Sequence, residues 1–522
     1  MRESHELERA SMNVTERSDW GMFGRPLFND EDAQALSRVG VLDVGSNSVR
    51  LVVFDGAARS PAYFYNEKIM CALGAGLAKT GRLNPEGRVR ALAAMRRFAQ
   101  LADGMGASPL TAVATAAVRE AADGAEFCAE VERETGIHIH VIDGEEEARL
   151  SAQGVLLGWP GSYGLVCDIG GSSMELAEIS GGRVGKRVTS PLGPLKLKDF
   201  QGTKKARKEY IASVINGLAE QLGPQKNRLF LVGGSWRAFA RIDMDRRNYP
   251  LHVQHEYRMN SAAISATADY IETQGIENLR ARTGISKERI NLVPLASEVL
   301  RQVVRTFRPH DIAVSSYGIR EGMLYEQMPQ KLRDRDPLIE SCYFAEAKDA
   351  RLPGFGLTLF NFVLPLFKSA PRDHLRLIKA ACLLHDVSWR AHPDYRAEVC
   401  FDNATRANLG GLKHRERVFL GLALLHRYSN SREGTRFDPV LRLLDAKDIH
   451  EAEVLGKAMR FGAMLWLQKE QPPGELHWYP KKRVLELTLA KEAEALFGEV
   501  AQARFQSLAS TLNAQTVVKI RR

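Results

Sequence analysis

The sequence predicts an α/β fold class, with two α/β lobes facing each other across a cleft and an all-α extension after them. Three observations lead to this prediction. A polar-tipped hairpin at residues 40–55 recurs at residues 164–179. Strand and helix patterns alternate after each copy, and from about residue 330 onward apolar residues fall almost everywhere at helical spacing.

The first hairpin is predicted from two apolar runs, Val39–Leu42 and Val49–Phe54, on either side of a polar turn. The second copy repeats this design in the same order. Equivalent positions are Asp43 and Asp168, Gly45 and Gly170, Ser48 and Ser173, and Leu51 and Leu176. We infer that one structural unit occurs twice.

The remaining segments predict the other elements of the lobes and of the extension. Helices are expected through Val89, Leu92, Met95, Phe98 and Leu101, and at Glu145–Leu157. Buried strands are expected at Leu110–Ala114, Ile137–Ile142, Leu229–Val232 and Asp311–Ser315. The extension is expected to contain helices at Leu375–Leu384, Val418–Leu425 and Ala458–Leu467.

Changes of pattern divide the chain into five predicted segments. They are a polar N-terminal tail (1–36), lobe I (37–160), lobe II (161–328), an all-α domain (338–470) and a small C-terminal subdomain (471–522). Several units are expected in 522 residues, since single domains usually contain about 50–200 residues. Pro329–Pro337 is the predicted linker before the all-α domain.

Composition narrows the class of protein. No apolar run approaches the roughly 20 residues of a membrane span, and the N-terminus has no apolar segment of the secretory type. The six cysteines lie far apart without a Cys-x-x-Cys pair, which indicates reduced thiols and a cytoplasmic protein. The net charge of +9 comes from the blocks after residue 200 and favours a polyanionic partner. No nucleic-acid-binding motif accompanies it, so we expect no specific nucleic acid.

Small, hydroxyl-rich residues form both hairpin tips. They are Gly45, Ser46, Asn47 and Ser48 in the first copy and Gly170, Gly171, Ser172 and Ser173 in the second. Glycines let the backbone approach a ligand, successive N–H groups can surround an anion, and serines add donors. A single turn of this kind is only a turn, but the repeated pair predicts phosphate binding.

An aspartate precedes each tip, and Glu175 follows the second tip. A carboxylate at this position would repel a phosphate, and a divalent cation removes the conflict. Asp43, Asp168 and Glu175 are therefore candidate ligands for Mg²⁺ or another divalent cation, held through waters and substrate phosphates. The alternative is that each carboxylate caps its turn by hydrogen bonding.

A run of acidic residues, Glu145, Glu146 and Glu147, opens the helix that is expected before residue 157. Acidic residues in the first turn stabilise a helix by typically about 0.3–1 kcal/mol each. Taken alone, the run therefore indicates only a helix start.

Together these motifs resemble those of the exopolyphosphatase and guanosine pentaphosphate phosphohydrolase family. The matching segments, in the order and spacing of that family, are residues 43–48, 146–149, 168–176, 191–193 and 318–322. The resemblance covers about residues 38–326 and, less sharply, the helical part. It implies that the lobes are actin-like and ribonuclease-H-like, as in the superfamily of acetate kinase, sugar kinases and actin.

The resemblance also implies roles for single residues. Glu147 matches the general base of the family, which polarises the attacking water, and its neighbours Glu145 and Glu146 would be supporting charges. Arg119 matches an arginine that touches phosphate, and Arg320 matches the arginine of the Arg-Glu-Gly motif. Both would offset charge on the phosphoryl oxygens.

The implied activity is hydrolysis of terminal orthophosphate from inorganic polyphosphate, with Mg²⁺ as cofactor. The alternative within the family is hydrolysis of guanosine pentaphosphate to the tetraphosphate; the basic surface favours polyphosphate. A kinase of the same fold and a non-catalytic binder of polyphosphate or alarmone nucleotide are further alternatives. The resemblance also suggests a homodimer formed by the helical extension.

Two departures from the family pattern concern the substrate. The second tip has Gly-Gly-Ser-Ser-Met where the family usually has Gly-Gly-Gly-Ser-Thr, which predicts a slightly different placement of substrate. Trp236 follows the glycine turn Gly233–Ser235, where the family has a small residue. Nucleotide-base binding is therefore in doubt.

In the helical part, His385–Asp386 resembles the ligand pair of the metal-dependent HD phosphohydrolases. The upstream histidine that this class requires is missing, because residues 338–373 contain none. We therefore expect a degenerate HD-like domain with a structural or substrate-guiding role, rather than a second metal site.

Overall fold

The structure is a computed structural model of the chain, and it describes residues 38–55, 59, 62–225, 227–465 and 474–521. The predicted tail, residues 1–36, lies outside the described residues. The chain divides between Arg335 and Asp336 into two compact units, a first unit before this point and a helical unit after it. No helix in the described ranges combines the length and the apolar character needed to cross a bilayer.

The first unit contains two sheets with flanking helices. Its strands are β1 (Val39–Val44), β2 (Ser48–Phe54), β3 (Tyr63–Met70), β4 (Leu110–Ala114), β5 (Ile139–Val141), β6 (Gly164–Ile169), β7 (Met174–Ser180), β8 (Arg183–Ser190), β9 (Arg228–Val232), β10 (Arg258–Met259) and β11 (Asp311–Val314). Its helices are α1 (Leu77–Thr80), α2 (Pro85–Gly104), α3 (Ala116–Glu120), α4 (Gly124–Thr135), α5 (Gly144–Gly158), α6 (Pro194–Lys198), α7 (Lys204–Leu222), α8 (Gly234–Arg246), α9 (Ser261–Gln274), α10 (Ile276–Thr283), α11 (Lys287–Ile290), α12 (Val293–Phe307), α13 (Ile319–Glu326) and α14 (Gln330–Arg333).

The two sheets share one plan. The first has the strand order β3-β2-β1-β4-β5 and the second has β10-β11-β9-β6-β7-β8. In both, a hairpin strand pairs antiparallel with its partner and parallel with the next strand, as β1 does with β2 and β4, and β6 with β7 and β9. β1 and β6 are almost continuously apolar and buried, as expected for central strands covered on both faces.

The repeated hairpin predicted from the sequence is confirmed at the level of single hydrogen bonds. Gly45 N donates to Ser48 O at 3.0 Å, and Gly170 N donates to Ser173 O at the same distance. Both turns therefore end their strands in the same backbone geometry, and the two tips are structurally equivalent.

Most predicted elements of the first unit are confirmed, with differences at sheet edges. The strand predicted at Ile137–Ile142 is only β5, because its residues 140 and 141 are exposed at the edge of the sheet. β3 and β8 were not predicted, since both are edge strands with many exposed polar side chains. Val89 lies on the predicted helix α2 but is 70% exposed, so it lies outside the packed face.

Helices α5 and α13 meet at a seam of small residues. A β-carbon added at Gly154 would clash with the carbonyl oxygen of Gly318, and one added at Gly322 would clash with that of Leu150. Neither position has room for a side chain, so the two helix backbones lie in direct contact. This seam fixes α5 of the first lobe against α13 of the second.

The helical unit contains α15 (Pro337–Asp349), α16 (Phe355–Val363), α17 (Arg372–Leu384), α18 (Arg396–Arg406), α19 (His414–Tyr428), α20 (Asp438–Leu441), α21 (Ala446–Gly462) and α22 (Glu499–Thr511). A three-stranded sheet, in the order β12-β13-β14, is formed by β12 (Gly474–Tyr479), β13 (Val484–Leu489) and β14 (Gln515–Ile520).

The predictions for this unit are met in outline. Helices cover the first two predicted ranges, and α21 ends at Gly462, before the end of the range predicted at Ala458–Leu467. The predicted linker Pro329–Pro337 is partly helical, since it contains α14 and the first residue of α15. The domain limits themselves stay predictions.

Candidate active site

The two hairpin tips face each other. Ser46 Oγ lies 3.3 Å from Ser172 Oγ, within hydrogen-bond distance, although 126 residues separate them. The second tip also packs tightly against Gly193, where a β-carbon would collide with the backbone of Ser172. Contact between Ser46 and Ser172 thus brings the two predicted phosphate-binding turns together.

Helix α5 presents Glu147 beside these tips. Asp143 caps the helix, and its Oδ1 accepts a hydrogen bond from Glu146 N at 2.8 Å. Glu146 is bound by Arg149, whereas Glu147 Oε2 is buried without a hydrogen-bond partner among the described residues. A buried carboxylate oxygen without a donor is costly, which indicates that a water, a proton or a cation completes this position.

The carboxylates near Glu147 repel one another. Burial raises the pKa of Glu147 well above its usual range, and the charges of Glu175, Asp168 and Asp43 raise it further. Burial likewise raises the pKa of Glu175 to about 8, with Asp168 contributing. The structure thus brings the three predicted metal ligands and the predicted base within electrostatic range of each other.

The three predicted metal ligands have different hydrogen-bond partners. Asp168 accepts a short hydrogen bond from Ser151 Oγ, and Glu175 Oε1 accepts one from Thr189 Oγ1 at 3.1 Å. Glu175 Oε2 is buried and lacks any partner that the structure describes. The described residues contain no group of three His, Cys, Asp or Glu side chains close enough to hold a metal ion. Asp43, Asp168 and Glu175 would therefore supply only part of the ligands of a cation. Such a site suits Mg²⁺, which keeps water and substrate oxygens as its other ligands.

Both predicted arginines lie at this site. Arg119 Nη1 donates to Ile142 O at 2.6 Å, and its charge opposes the upward pKa shifts of Glu147 and Glu175. Arg320 Nη1 lies 3.2 Å from Asp43 Oδ2, while its Nε is buried with no partner in the described chain. Each arginine has donor capacity left for an oxyanion.

An interaction that the sequence did not predict connects the lobes next to Arg320. Tyr63 of β3 donates its hydroxyl to Glu321 Oε1 at 2.7 Å, and Glu321 Oε2 accepts from Gly318 N at 2.7 Å. Glu321 is fully buried, so both oxygens need these donors. The network holds the start of α13, and with it Arg320, against the first sheet.

A group of cations was also missed by the sequence reasoning. Lys68 of the first lobe and Arg237 and Arg289 of the second have no acidic partner within ion-pair distance among the described residues. Burial, followed by the charges of Arg289 and Arg50, lowers the pKa of Lys68. Burial, followed by Arg320 and Arg289, lowers the pKa of Arg237 to about 10. Asp43 offsets the charge of Lys68 only in part, and Glu321 and Asp168 offset that of Arg237 only in part, because the pKa of each cation is still lowered. A remaining excess of positive charge is typical of an anion site.

Comparison with known proteins identifies the family. Residues 52–331 match the model of the Ppx/GppA phosphatase family, and residues 368–518 match that of the exopolyphosphatase C-terminal domain. The chain belongs to the Ppx/GppA phosphatase family. It is accordingly a phosphoanhydride hydrolase, and the family resemblance inferred from the motifs is confirmed.

Individual relatives agree with this assignment. Exopolyphosphatase 1 of Mycobacterium tuberculosis (strain H37Rv) is 32% identical over 317 residues, which cover 58% of this chain and 92% of that protein. Retrograde regulation protein 2 of Saccharomyces cerevisiae is 24% identical over 452 residues, covering 77% of this chain and 75% of that protein. The crystal structure of an exopolyphosphatase from Cytophaga hutchinsonii matches with a TM-score of 0.50 at 22% identity, covering 57% of this chain and 99% of that one, and supports the fold of the lobes.

Within this Ppx/GppA protein, Trp236 proves to be a core residue. It is fully buried, and its Nε1 donates to Cys167 O at 3.1 Å behind β6. The preceding Gly233 has φ 112°, and a β-carbon there would approach Ile169 O and Asp168 Oδ1. The glycine turn thus brings α8 close to Asp168, and the indole does not enter the cleft.

The HD-like pair has partners of its own. His385 is buried with Nδ1 2.8 Å from Cys382 O, and Asp386 forms a bidentate ion pair with Arg351. Burial, followed by the charge of Arg427, lowers the pKa of His385 to about 3, so the ring is neutral at physiological pH. These contacts favour the predicted structural role, and the HD-like relationship stays a prediction.

Proposed function

We propose that this Ppx/GppA protein is an exopolyphosphatase that removes terminal orthophosphate from inorganic polyphosphate with Mg²⁺ and a water activated by Glu147. One observation carries the proposal. Buried carboxylate oxygens of Glu147 and Glu175 lack partners among the described residues, and they lie near two hydroxyl-rich turns and a group of cations that form no ion pair in the described chain. The unpartnered carboxylates favour binding of a cation, and the neighbouring lysine and arginines favour binding of a polyanion.

Glu147 is proposed as the general base. Burial and the neighbouring carboxylates raise the pKa of Glu147 well above its usual range, which makes its carboxylate a stronger proton acceptor. The water oxygen attacks the terminal phosphorus, the water proton moves to Glu147, and the bond to the bridging oxygen breaks. That oxygen stays with the shortened chain, and orthophosphate is released.

Asp43, Asp168 and Glu175 are proposed to hold Mg²⁺ through waters and substrate oxygens. When bound, the cation neutralises developing charge on the phosphoryl oxygens. The turns at 45–48 and 170–173, with Arg119 and Arg320, would bind the terminal phosphoryl group. Because Lys68 and Arg237 lie within electrostatic range of Arg320 and Arg289, and none of Lys68, Arg237 and Arg289 forms an ion pair in the described chain, we assign the next phosphates to these three cations.

The test is Mg²⁺-dependent release of orthophosphate from long-chain polyphosphate, measured beside conversion of guanosine pentaphosphate to the tetraphosphate. Glu147→Gln should lower kcat by about 10² to 10⁴, the usual contribution of a positioned base. Glu145→Gln is the matched control, because this exposed neighbour lies in the same helical turn. Conversion of the nucleotide alone would refute the polyphosphate assignment, and unchanged turnover of Glu147→Gln would refute the role of the base.

Guanosine pentaphosphate is the second candidate substrate within the family. A kinase function and a non-catalytic binding function are weaker candidates. A kinase would produce a phosphorylated acceptor in place of free orthophosphate. Because the Trp236 indole is buried in the core, it neither obstructs nor contacts a guanine base, and this substitution does not decide between the two substrates. We further propose a cytoplasmic homodimer, in line with the motif resemblance.

A further inference from the structure

The helix that carries the proposed base also carries a hydrogen-bond donor for one of the proposed cation ligands. Ser151 lies one turn after Glu147 on α5, so the two side chains lie on the same face of the helix. Ser151 is fully buried, and its Oγ donates a short hydrogen bond to Asp168 Oδ2 on β6. A single helix turn therefore connects the proposed base with a carboxylate of the second hairpin.

This hydrogen bond decides which oxygen of Asp168 is available. The Ser151 hydroxyl occupies Oδ2, and Oδ1 has no hydrogen-bond partner in the described chain. A β-carbon at Gly233 would lie 3.0 Å from Oδ1, so the glycine keeps a side chain away from this oxygen. Hydrogen bonds from neighbouring groups commonly set the orientation of carboxylates that ligate metal ions. Ser151 is placed to do this for Asp168.

The helix itself does not explain a serine at this position. Serine is a weaker helix former than alanine, and a serine inside a helix usually points to solvent or bonds to the carbonyl oxygen four residues earlier. The Ser151 hydroxyl bonds instead to a residue 17 positions later, in a strand. A buried hydroxyl is costly without a partner. Among the described residues Asp168 is that partner, and this contact accounts for a polar group at a fully buried position.

We propose that Ser151 is a positioning residue for the divalent cation: it holds Asp168 through Oδ2 and leaves Oδ1 to ligate the metal. The inference rests on the proposed function, in which Asp168 is a cation ligand. Loss of a residue that supports a metal ligand typically weakens metal binding by about 10- to 100-fold. Removal of the Ser151 hydroxyl should therefore lower metal affinity and leave binding of the phosphate chain largely unchanged.

Binding of Mn²⁺ to the full-length protein, measured without substrate, tests this role. Electron paramagnetic resonance of free Mn²⁺ gives the Kd independently of turnover, and Ser151→Ala should raise it about tenfold or more. Ser190→Ala is the matched control, because Ser190 is also buried and its Oγ donates to the main-chain oxygen of Met174 at 3.0 Å. It should leave the Kd unchanged. The same Kd in Ser151→Ala and the wild type, or an equal rise in both serine variants, would overturn the proposal.

Asp168→Asn in the same assay separates this inference from the proposed function. If Asp168→Asn and the wild type bind Mn²⁺ equally, Asp168 is not a cation ligand, and the proposed cation site fails together with the inference. If Asp168→Asn weakens binding and Ser151→Ala does not, only the inference about Ser151 fails.

Steady-state kinetics provides a second measurement of the same role. In Ser151→Ala, the Mg²⁺ concentration for half-maximal hydrolysis of polyphosphate should rise about tenfold. At saturating Mg²⁺, the KM for polyphosphate should stay close to that of the wild type, since the hydroxyl is assigned no contact with substrate. A higher KM with an unchanged requirement for Mg²⁺ would contradict the assigned role.

Discussion

The two hairpins of the first unit have the same backbone but opposite charge environments. Asp43 of β1 lies opposite Arg50 across the strand pair and forms an ion pair with Arg320. Asp168 of β6, at the equivalent position, lies opposite Glu175. The same backbone motif therefore carries two different sets of charges. In the first copy the aspartate lies beside cations. In the second copy the aspartate lies beside another carboxylate, and this pair requires a cation or a proton.

Equivalent substitutions in the two hairpins should change different kinetic parameters. Glu175→Gln removes a proposed cation ligand and should lower kcat by about 10² or more, which is the scale of losing one preorganised electrostatic group. Arg50→Gln, at the equivalent position of the first hairpin, should mainly raise KM by about tenfold, since substrate charge would be less well offset. Steady-state kinetics on polyphosphate at several Mg²⁺ concentrations measures both. The comparison fails if both variants alter the same parameter to the same extent.

The cations Lys68, Arg237 and Arg289, which come from both lobes, add a second comparison. Arg289→Gln should raise KM for long polyphosphate by about tenfold with little change in kcat. It should also reduce the dependence of KM on salt concentration, because one phosphate contact fewer displaces counterions. Arg280→Gln, an exposed arginine paired with Glu277 in the same lobe, is the control. An equal change in both variants would indicate only a general effect of net charge.

The pH dependence of stability should report the raised pKa of Glu175 in the second hairpin. The pKa of Glu175, about 8 in the folded state, lies above its ordinary value of 4.5, so the folded protein binds more protons than the unfolded chain between these values. Without a divalent cation, stability should thus decrease as pH rises from about 4.5 to 8. Tm measured in EDTA should fall by a few degrees less over this range in Glu175→Gln than in the wild type. Equal pH dependence in both proteins would contradict the raised pKa.

The backbone elements of the site could be predicted from the sequence more completely than the contacts of its charged side chains. Apolar strands and glycine-serine turns are local signals, so the twin hairpins could be found from the residues alone, and Ser46 and Ser172 indeed meet. Glu147 looked like an ordinary helix start, and only the family resemblance suggested its role. Glu147 Oε2 is buried without a partner in the described chain because segments distant in sequence cover it, and a local sequence pattern does not show such burial.

Residues on edge strands and short helices escaped prediction for the same reason. Lys68 and Tyr63 lie on β3, an exposed edge strand with polar side chains, and Arg289 lies on α11, a helix of four residues. Their importance comes from side chains that approach across the lobes, as Tyr63 approaches Glu321. Trp236 shows the opposite case: a substitution that looked disruptive in the sequence is absorbed by the core.

The seam between α5 and α13 has a consequence for how this protein can change over time. Glu147 is carried by one helix and Arg320 by the other, and the helices touch through Gly154 and Gly322 without room for even a methyl group. The spacing between the proposed base and the proposed anion clamp is thus set by main-chain contact. Replacements at these glycines would widen that spacing, so two positions that cannot touch substrate should tolerate variation as poorly as those that do.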